Sequence, residues 1–141
     1  MLTIKEGGDI FLSECEVLVN PVNCVGVMGK GLALQFKEKY PQMFEDYREI
    51  CKSGLLSPGL LWLWKKKVLC FPTKLNWRDP SKEEYVLLGL EKFKTTYKEK
   101  GLTSVAFPLL GAGLGGLNRE WVIQKIKETL ENLEGTYELY I

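Results

Sequence analysis

The chain has 141 residues, of which 45% are hydrophobic and 26% charged, the proportions of an ordinary globular protein with one core. Its net charge of +1 gives no overall electrostatic reason to bind nucleic acid, so any such binding needs a local patch. Because the chain has no histidine, the commonest general base and the commonest zinc ligand are both missing, which argues against Ser-His-Asp and metal-dependent chemistry.

The cysteines indicate a reducing compartment. They show no Cys-x-x-Cys spacing and occur at Cys15, Cys24, Cys51 and Cys70. We therefore expect reduced, mostly buried thiols in a cytoplasmic protein. No signal peptide or membrane association is expected either, because residues 1–4 already have a strand pattern and the apolar run 59–64 is too short to span a bilayer.

Short apolar runs alternate with longer helical patterns along the chain. The runs predict strands at Leu2–Lys5, Glu16–Asn20, Gly59–Trp64, Val68–Phe71, Ser104–Phe107 and Tyr137–Ile141. The helical patterns cover about 29–39, 41–53, 81–100 and 118–133. This order predicts an α/β fold with a central mixed sheet, helices on both faces and ligands at the carboxyl ends of the inner strands.

The last two helices carry specific signals. In the third, the apolar residues near helical spacing are Val86, Leu87, Leu90, Phe93 and Tyr97. Ser81 followed by Glu84 resembles a capping box, and Asn118 is a candidate N-cap for the last helix.

Two glycine-bearing turns follow strands and precede helices. Loop 1 spans residues 20–31 (Asn-Pro-Val-Asn-Cys-Val-Gly-Val-Met-Gly-Lys-Gly), and loop 2 spans residues 111–117 (Gly-Ala-Gly-Leu-Gly-Gly-Leu). Such turns leave backbone N–H groups free to bind an anion near a helix N-terminus, although one turn alone can simply pack a helix on the sheet. Loop 2 has four glycines in six positions, and each costs roughly 0.5–1 kcal/mol in chain entropy. Together, the loops predict a cleft that holds a diphosphate.

Of three polar residues near these turns, two allow both a structural and a ligand-binding interpretation. Asn20, before a proline, is typical of turn chemistry. Asn23 can play the same role, or its amide can donate to and accept from a sugar hydroxyl. Asp9 is either a turn or N-cap residue or an acceptor for the exocyclic amine of a base, with Ile10 packed beside it.

Lys74 is the titratable group of greatest interest, since it ends the apolar run 68–73 where a strand leaves the core. Most lysines are solvated surface charges. A lysine beside a desolvated cleft can instead act as a nucleophile or base, and no histidine competes for that role here. Trp77 and Arg78, with the lysines at 65–67, form either an ordinary exposed loop with a buried Trp77 or an aromatic and basic surface for single-stranded nucleic acid.

These segments together resemble a macro domain, the three-layer α/β/α fold that binds ADP-ribose, and the resemblance covers the whole chain. The chain is similar to macro domains of the DarG antitoxin type, a branch of ADP-ribosyl glycohydrolases that use lysine. The similarity lies in residues 23–31, 33–37, 71–74, 77–78 and 111–117. It implies a single macro domain over residues 1–141, which can be the N-terminal part of a longer protein.

The resemblance implies an enzyme that removes ADP-ribose from thymidine bases of single-stranded DNA and opposes a DarT-like toxin, without metal or cofactor. Lys74 would be catalytic, with Asn23 at the distal ribose, and Trp77 and Arg78 would contact DNA. The residues implied to bind ADP-ribose are Asp9, Ile10, Asn20, Asn23, Gly26, Val27, Met28, Gly29, Lys30, Gly31, Thr73, Gly111, Ala112, Gly113, Leu114, Gly115 and Gly116.

Two alternatives keep the same ligand. One is a binding module that recognises ADP-ribose without turnover, and the other is a hydrolase of protein-linked or O-acetyl ADP-ribose. Some lysine-type relatives have an acidic residue in loop 2 where this chain has Gly115. Loop 2 therefore offers no carboxylate partner for Lys74, which leaves open how its proton leaves. The resemblance implies that Lys74 acts as a nucleophile or, alternatively, as a base or electrostatic stabiliser.

Overall fold

The computed structural model describes residues 1–141. The strands are β1 (Leu2–Lys5), β2 (Val17–Val22), β3 (Trp62–Trp64), β4 (Val68–Pro72), β5 (Ser104–Phe107) and β6 (Thr136–Tyr140). The helices are α1 (Gly31–Lys39), α2 (Pro41–Lys52), α3 (Glu83–Thr96) and α4 (Arg119–Leu130), and one 3₁₀ turn covers Ile10–Leu12. None of these helices has the length and hydrophobicity needed to cross a membrane.

All six strands form one sheet in the order β1-β6-β5-β2-β4-β3. Every neighbouring pair is parallel except β3 and β4, which are antiparallel and joined by a tight turn. Lys65 and Lys66 are the central residues of a turn that Lys67 N closes by donating to Trp64 O, and both have positive φ angles, 49° and 53°, as a type I′ turn requires. The expected mixed sheet is confirmed.

Each face of the sheet carries its own core, because side chains alternate along buried strands. In β2, Val17 and Val19 belong to the cluster covered by α3 and α4, whereas Leu18 and Val22 belong to the cluster covered by α1 and α2. The alternation continues in β4, where Leu69 and Phe71 face the first cluster and Val68 and Cys70 the second. The fold is the expected three-layer α/β/α arrangement.

The sheet opens between β2 and β5 before the chain reaches Pro21. Pairing of β2 with β5 ends at Leu18, whereas pairing with β4 continues to Val22. Leu18 N and Val22 O both bond towards β4, so the intervening Pro21 nitrogen faces the β5 side. A proline cannot donate to a ladder, and here no ladder reaches it. The divergence of the two strands leaves a crevice at their carboxyl ends.

The structure corrects two expectations for α3 and confirms one for α4. The Ser81 capping box is wrong: the N-cap is Lys82, which makes no side-chain cap bond. Leu87 is 45% exposed, because it lies one residue away from the buried stripe that contains Val86 and Leu90. Asn118 is the N-cap of α4, where its Oδ1 accepts from Trp121 N at 2.9 Å.

The cysteines are free thiols, as expected. The expectation that most are buried is wrong, because only Cys70 is buried and Cys15, Cys24 and Cys51 are half-buried. The half-buried three lie outside the central strands, on loops or on α2.

Candidate functional site

A cleft of about 430 Å³ lies at the carboxyl ends of β2, β4 and β5. Its walls come from the end of β2, loop 1, the start of α1, the segment after β4 and loop 2. Parallel α/β sheets bind ligands at this edge, beside the point where neighbouring strands diverge. The cleft therefore occupies the position that the sequence predicts for a ligand site.

The buried polar side chains of the protein concentrate at this edge of the sheet. They are Asn20, Asn23, Thr73 and Ser81. Burying a polar side chain lowers stability unless its hydrogen bonds are replaced, so four of them beside one cleft indicate that the cleft requires them.

Asn23 lines the cleft and also shapes loop 1 from inside. Its Oδ1 accepts from Val25 N at 3.1 Å, from Val27 N at 3.4 Å and from the Tyr47 hydroxyl at 2.8 Å. Its Nδ2 donates to Val27 O at 2.8 Å, which leaves one amide hydrogen for a ligand. Burial raises the pKa of Tyr47, so its hydroxyl stays protonated and remains a donor. The side chain of Asn23 thus faces the cleft in a fixed orientation.

The remaining predicted residues of loop 1 divide into two groups. Val27, Gly29, Lys30 and Gly31 line the cleft. Asn20, Gly26 and Met28 do not line it. Asn20 is fully buried: its Nδ2 lies 3.8 Å from Met28 Sδ, and its Oδ1 has no partner. Gly26, with φ +85°, packs against Arg48 and Cys51 of α2.

The start of α1 presents unpaired backbone donors to the cleft. Lys30 is the N-cap without a side-chain cap bond, and the first turn contains no acidic residue. The N–H groups of residues 31–33, which line the cleft, have no acceptor within the protein. Together with the positive end of the helix dipole, they form a favourable position for an anion.

Loop 2 forms the opposite wall with a similar set of donors. Gly111, Gly113, Leu114 and Gly115 line the cleft, whereas Ala112 and Gly116 do not. The N–H groups of residues 113–115 have no acceptor within the protein. The side chain of Leu114, which is 71% exposed, reaches across to the backbone of Gly31 in loop 1. The two loops therefore approach each other over the cleft, with unpaired N–H groups on both sides.

Lys74 lines the cleft on a segment that is held by its neighbours in the chain. Thr73 N donates to Val22 O, and Cys24 N donates to Leu75 O, both at 2.9 Å. Lys74 itself is half-buried and forms no ion pair with any carboxylate. The amine is thus placed at the cleft on a fixed backbone.

An exposed aromatic and basic surface borders Lys74. Trp77 lines the cleft and is 45% exposed, and the Arg78 guanidinium lies 4.8 Å from the centre of its ring. The sequence alternative of a buried Trp77 is therefore wrong. Arg78 does not line the cleft itself, so the pair extends from its mouth to the outer surface.

A second cavity, of about 370 Å³, adjoins the cleft across Leu32, which lines both. It contains Asp9 and Ile10, as well as the aromatic ring of Tyr140. Asp9 Oδ1 accepts from Phe11 N at 2.9 Å, which is the turn role that the sequence suggests, while Oδ2 forms no hydrogen bond. The two cavities can therefore hold two ends of one extended ligand. The chain contains no group of three or more acidic or cysteine side chains placed to hold a metal ion.

Sequence reasoning missed two residues of the site. Tyr47 holds Asn23 from a position 24 residues away, and its place on the apolar side of α2 suggests only a core residue. Ser81 lines the cleft, although its position before α3 suggests a helix cap. Neither role has a local signal, because both depend on contacts between separate elements.

In this three-layer α/β/α fold, two loops with unpaired N–H groups lie where the strands of the central sheet diverge, which is a position and a donor set suited to a phosphorylated ligand. The chain belongs to the macro-domain family, whose model matches residues 19–126. This confirms the resemblance seen in the sequence.

Individual relatives agree with this assignment. The chain is 44% identical over 133 residues to a protein of Mycobacterium tuberculosis named DNA ADP-ribosyl glycohydrolase, a match that covers 89% of this chain and 38% of that protein. It is similar in structure to the macrodomain of Mycobacterium tuberculosis DarG, with a TM-score of 0.92, 41% identity and coverage of 98% and 97%. It is also similar to Thermosipho africanus DarTG in complex with ADP-ribose, with a TM-score of 0.90, 33% identity and coverage of 99% of this chain and 41% of that one. The chain thus spans less than half the length of such full-length relatives.

Proposed function

We propose that this protein is a DNA ADP-ribosyl glycohydrolase that removes ADP-ribose from thymidine bases of single-stranded DNA and so reverses a DarT-like toxin. The observation that carries the proposal is the placement of Lys74 in the cleft between two loops of unpaired N–H groups. The names of the relatives support the reaction, and the Thermosipho africanus complex supports the ligand.

In this proposal, ADP-ribose extends across both cavities. The diphosphate lies between the N–H groups of residues 31–33 and those of residues 113–115, where two anion-binding positions face each other. The adenine occupies the smaller cavity, with the free Oδ2 of Asp9 accepting from its amine and Ile10 beside it. The distal ribose then lies near Lys74 and the free amide hydrogen of Asn23.

Lys74 supplies the nucleophile in the reaction that we propose. In its deprotonated form the amine attacks the anomeric carbon as the bond from that carbon to the ring oxygen opens, and the ring oxygen takes one of the two amine protons. The bond to thymine then breaks, the leaving base takes the other amine proton, and the open-chain sugar is left joined to Lys74 as an imine. Water adds to the imine carbon, the amine leaves, and the aldehyde that is released closes to ADP-ribose. The net reaction consumes one water. A role for Lys74 as base or electrostatic stabiliser uses the same position in the cleft.

We assign the DNA side of the substrate to Trp77 and Arg78. An exposed indole beside the catalytic cleft offers a stacking surface for an unpaired base, and a guanidinium offers charge for a phosphate. A sugar ester needs no such surface, so this loop favours DNA over O-acetyl ADP-ribose as the substrate.

The test is release of ADP-ribose from a single-stranded oligonucleotide that carries ADP-ribose on thymidine. We expect turnover by the wild type and a loss of at least about a thousandfold in Lys74→Ala, because the nucleophile is removed. The matched control is Lys94→Ala, which removes an exposed lysine of α3 that forms no ion pair.

The other outcomes separate the competing functions. Release by Lys74→Ala at the wild-type rate keeps the function and removes the role of Lys74. ADP-ribose binding without release by the wild type contradicts the enzyme and favours a binding module. Release from ADP-ribosylated protein but not from DNA favours the protein-directed hydrolase.

A further inference from the structure

Two buried hydroxyl groups in the wall of the cleft have no part in the chemistry described above. Ser81 and Thr73 are only 5% and 3% exposed, and both line the cleft. Ser81 Oγ donates to Thr73 Oγ1 at 3.3 Å. Buried hydroxyls are retained where their hydrogen bonds fix the relative position of two segments.

Ser81 is joined to loop 2 through its backbone and its side chain. Its N–H donates to Gly115 O at 2.9 Å. A Cβ on Gly115 would lie 2.6 Å from Gly111 O and would overlap the Ser81 hydroxyl. The residue at 115 therefore has to be glycine while Ser81 is in place, which is a physical reason for the lack of an acidic side chain there.

Thr73 is joined to the other side of the site. Its N–H donates to Val22 O at the end of β2, and its carbonyl accepts from Lys82 N at 3.3 Å. Lys74 is the next residue. After Lys74 the chain forms a loop through the exposed residues around Trp77 and returns to the core at Ser81. The hydrogen bond between Ser81 and Thr73 therefore joins the two ends of this loop.

We propose that the Ser81–Thr73 hydroxyl pair is the positioning element that sets Lys74 at a fixed distance from loop 2. The inference rests on the proposed function, in which one ligand spans both: loop 2 holds the diphosphate and Lys74 meets the anomeric carbon. Small displacements of a nucleophile lower the rate far more than they lower affinity. Loss of either hydroxyl therefore reduces turnover and leaves the binding of ADP-ribose intact.

The experiment compares Ser81→Ala, Thr73→Val, which removes a hydroxyl at nearly constant shape, and the double variant. Thr73→Ser retains the hydroxyl, and Ser57→Ala is the control, because Ser57 is exposed and its hydroxyl forms no hydrogen bond. We measure kcat and KM on the ADP-ribosylated oligonucleotide, the Kd of ADP-ribose by calorimetry, and unfolding in urea.

We expect kcat to fall by about tenfold or more in each single variant, as a nucleophile displaced by a fraction of an ångström requires. The Kd of ADP-ribose stays within about twofold of wild type, and the double variant is no slower than the slower single, because the two groups act as a pair. Thr73→Ser, which keeps the hydroxyl, loses less kcat than Thr73→Val, and Ser57→Ala retains wild-type kcat.

The inference is overturned if the Ser81→Ala variant has the kcat of the wild type. It is also overturned if the Kd of ADP-ribose rises by the same factor as kcat falls, because that result indicates a general loss of the binding pocket. Additive losses in the double variant overturn the pairing. A wild type that releases no ADP-ribose overturns the proposed function and the inference together, whereas an active wild type with an unaffected Ser81→Ala overturns the inference alone.

Discussion

A single negative charge placed on loop 2 tests the diphosphate site directly. Gly113 is exposed, lines the cleft and does not have a positive φ, and a Cβ added there meets no atom within 4 Å. Gly113→Ala is therefore expected to fold and bind ADP-ribose like the wild type. Any effect of a longer side chain at this position then comes from what it places in the cleft.

The expected size of the effect follows from Coulomb's law. A Gly113→Glu carboxylate about 6 Å from a diphosphate with two charges raises the binding free energy by about 1.4 kcal/mol at a dielectric constant of about 80. At an effective value of about 20, typical of a protein surface cleft, the penalty is about 5.5 kcal/mol. The two free-energy penalties correspond to a Kd of ADP-ribose that is raised by between about tenfold and about ten-thousandfold.

The assay is calorimetric titration with ADP-ribose of the wild type and the Ala, Gln and Glu variants at position 113, at low and high salt. Gly113→Gln has the size of glutamate without its charge, so the Glu–Gln difference isolates electrostatics from filling of the cleft. The difference should shrink at about 1 M salt, where the Debye length falls to about 3 Å. Wild-type affinity in Gly113→Glu at low salt would refute the placement of the diphosphate at loop 2.

Two further predictions concern packing and pH. Gly89→Ala should lower the free energy of unfolding in urea by about 2 kcal/mol, because the alanine Cβ would overlap the fully buried ring of Phe71. The cost of this overlap outweighs the gain of about 1 kcal/mol in helix propensity. Glu91→Ala, on the exposed side of the same helix, should change stability by less than about 0.5 kcal/mol, and a stabilised Gly89→Ala would contradict the close packing. Burial, and secondarily the nearby Cys51 thiol, raise the pKa of Cys24 from 9.0 to about 11. The fraction of Cys24 present as thiolate at pH 8 is then about a hundredfold lower in the native protein than in the unfolded chain. Iodoacetamide should therefore label Cys24 slowly in the native protein and rapidly in urea, and the native rate should rise up to about pH 11. Equal labelling rates in the two states would contradict the burial of Cys24.

The sequence contained the elements and their order because these depend on local chemistry. Alternating and helical apolar patterns predict the strands and helices, and Asn118 marks the start of α4 by its own cap. Glycines between a strand and a helix locate loop 1 and loop 2, and Lys74 is recognisable as the polar residue that ends a buried run. The macro-domain family could be identified at this level.

Only the tertiary structure decided which of these residues share the cleft. Gly26 and Met28 belong to loop 1 but pack away from the ligand site, whereas Gly29 lines it. Two hydrogen bonds join elements that are far apart in the chain: one from Tyr47 to Asn23, and one from Ser81 to Gly115. Periodicity and capping describe neighbours within one element. They carry no information about which loop a buried hydroxyl meets once the sheet brings the carboxyl ends of β2, β4 and β5 together.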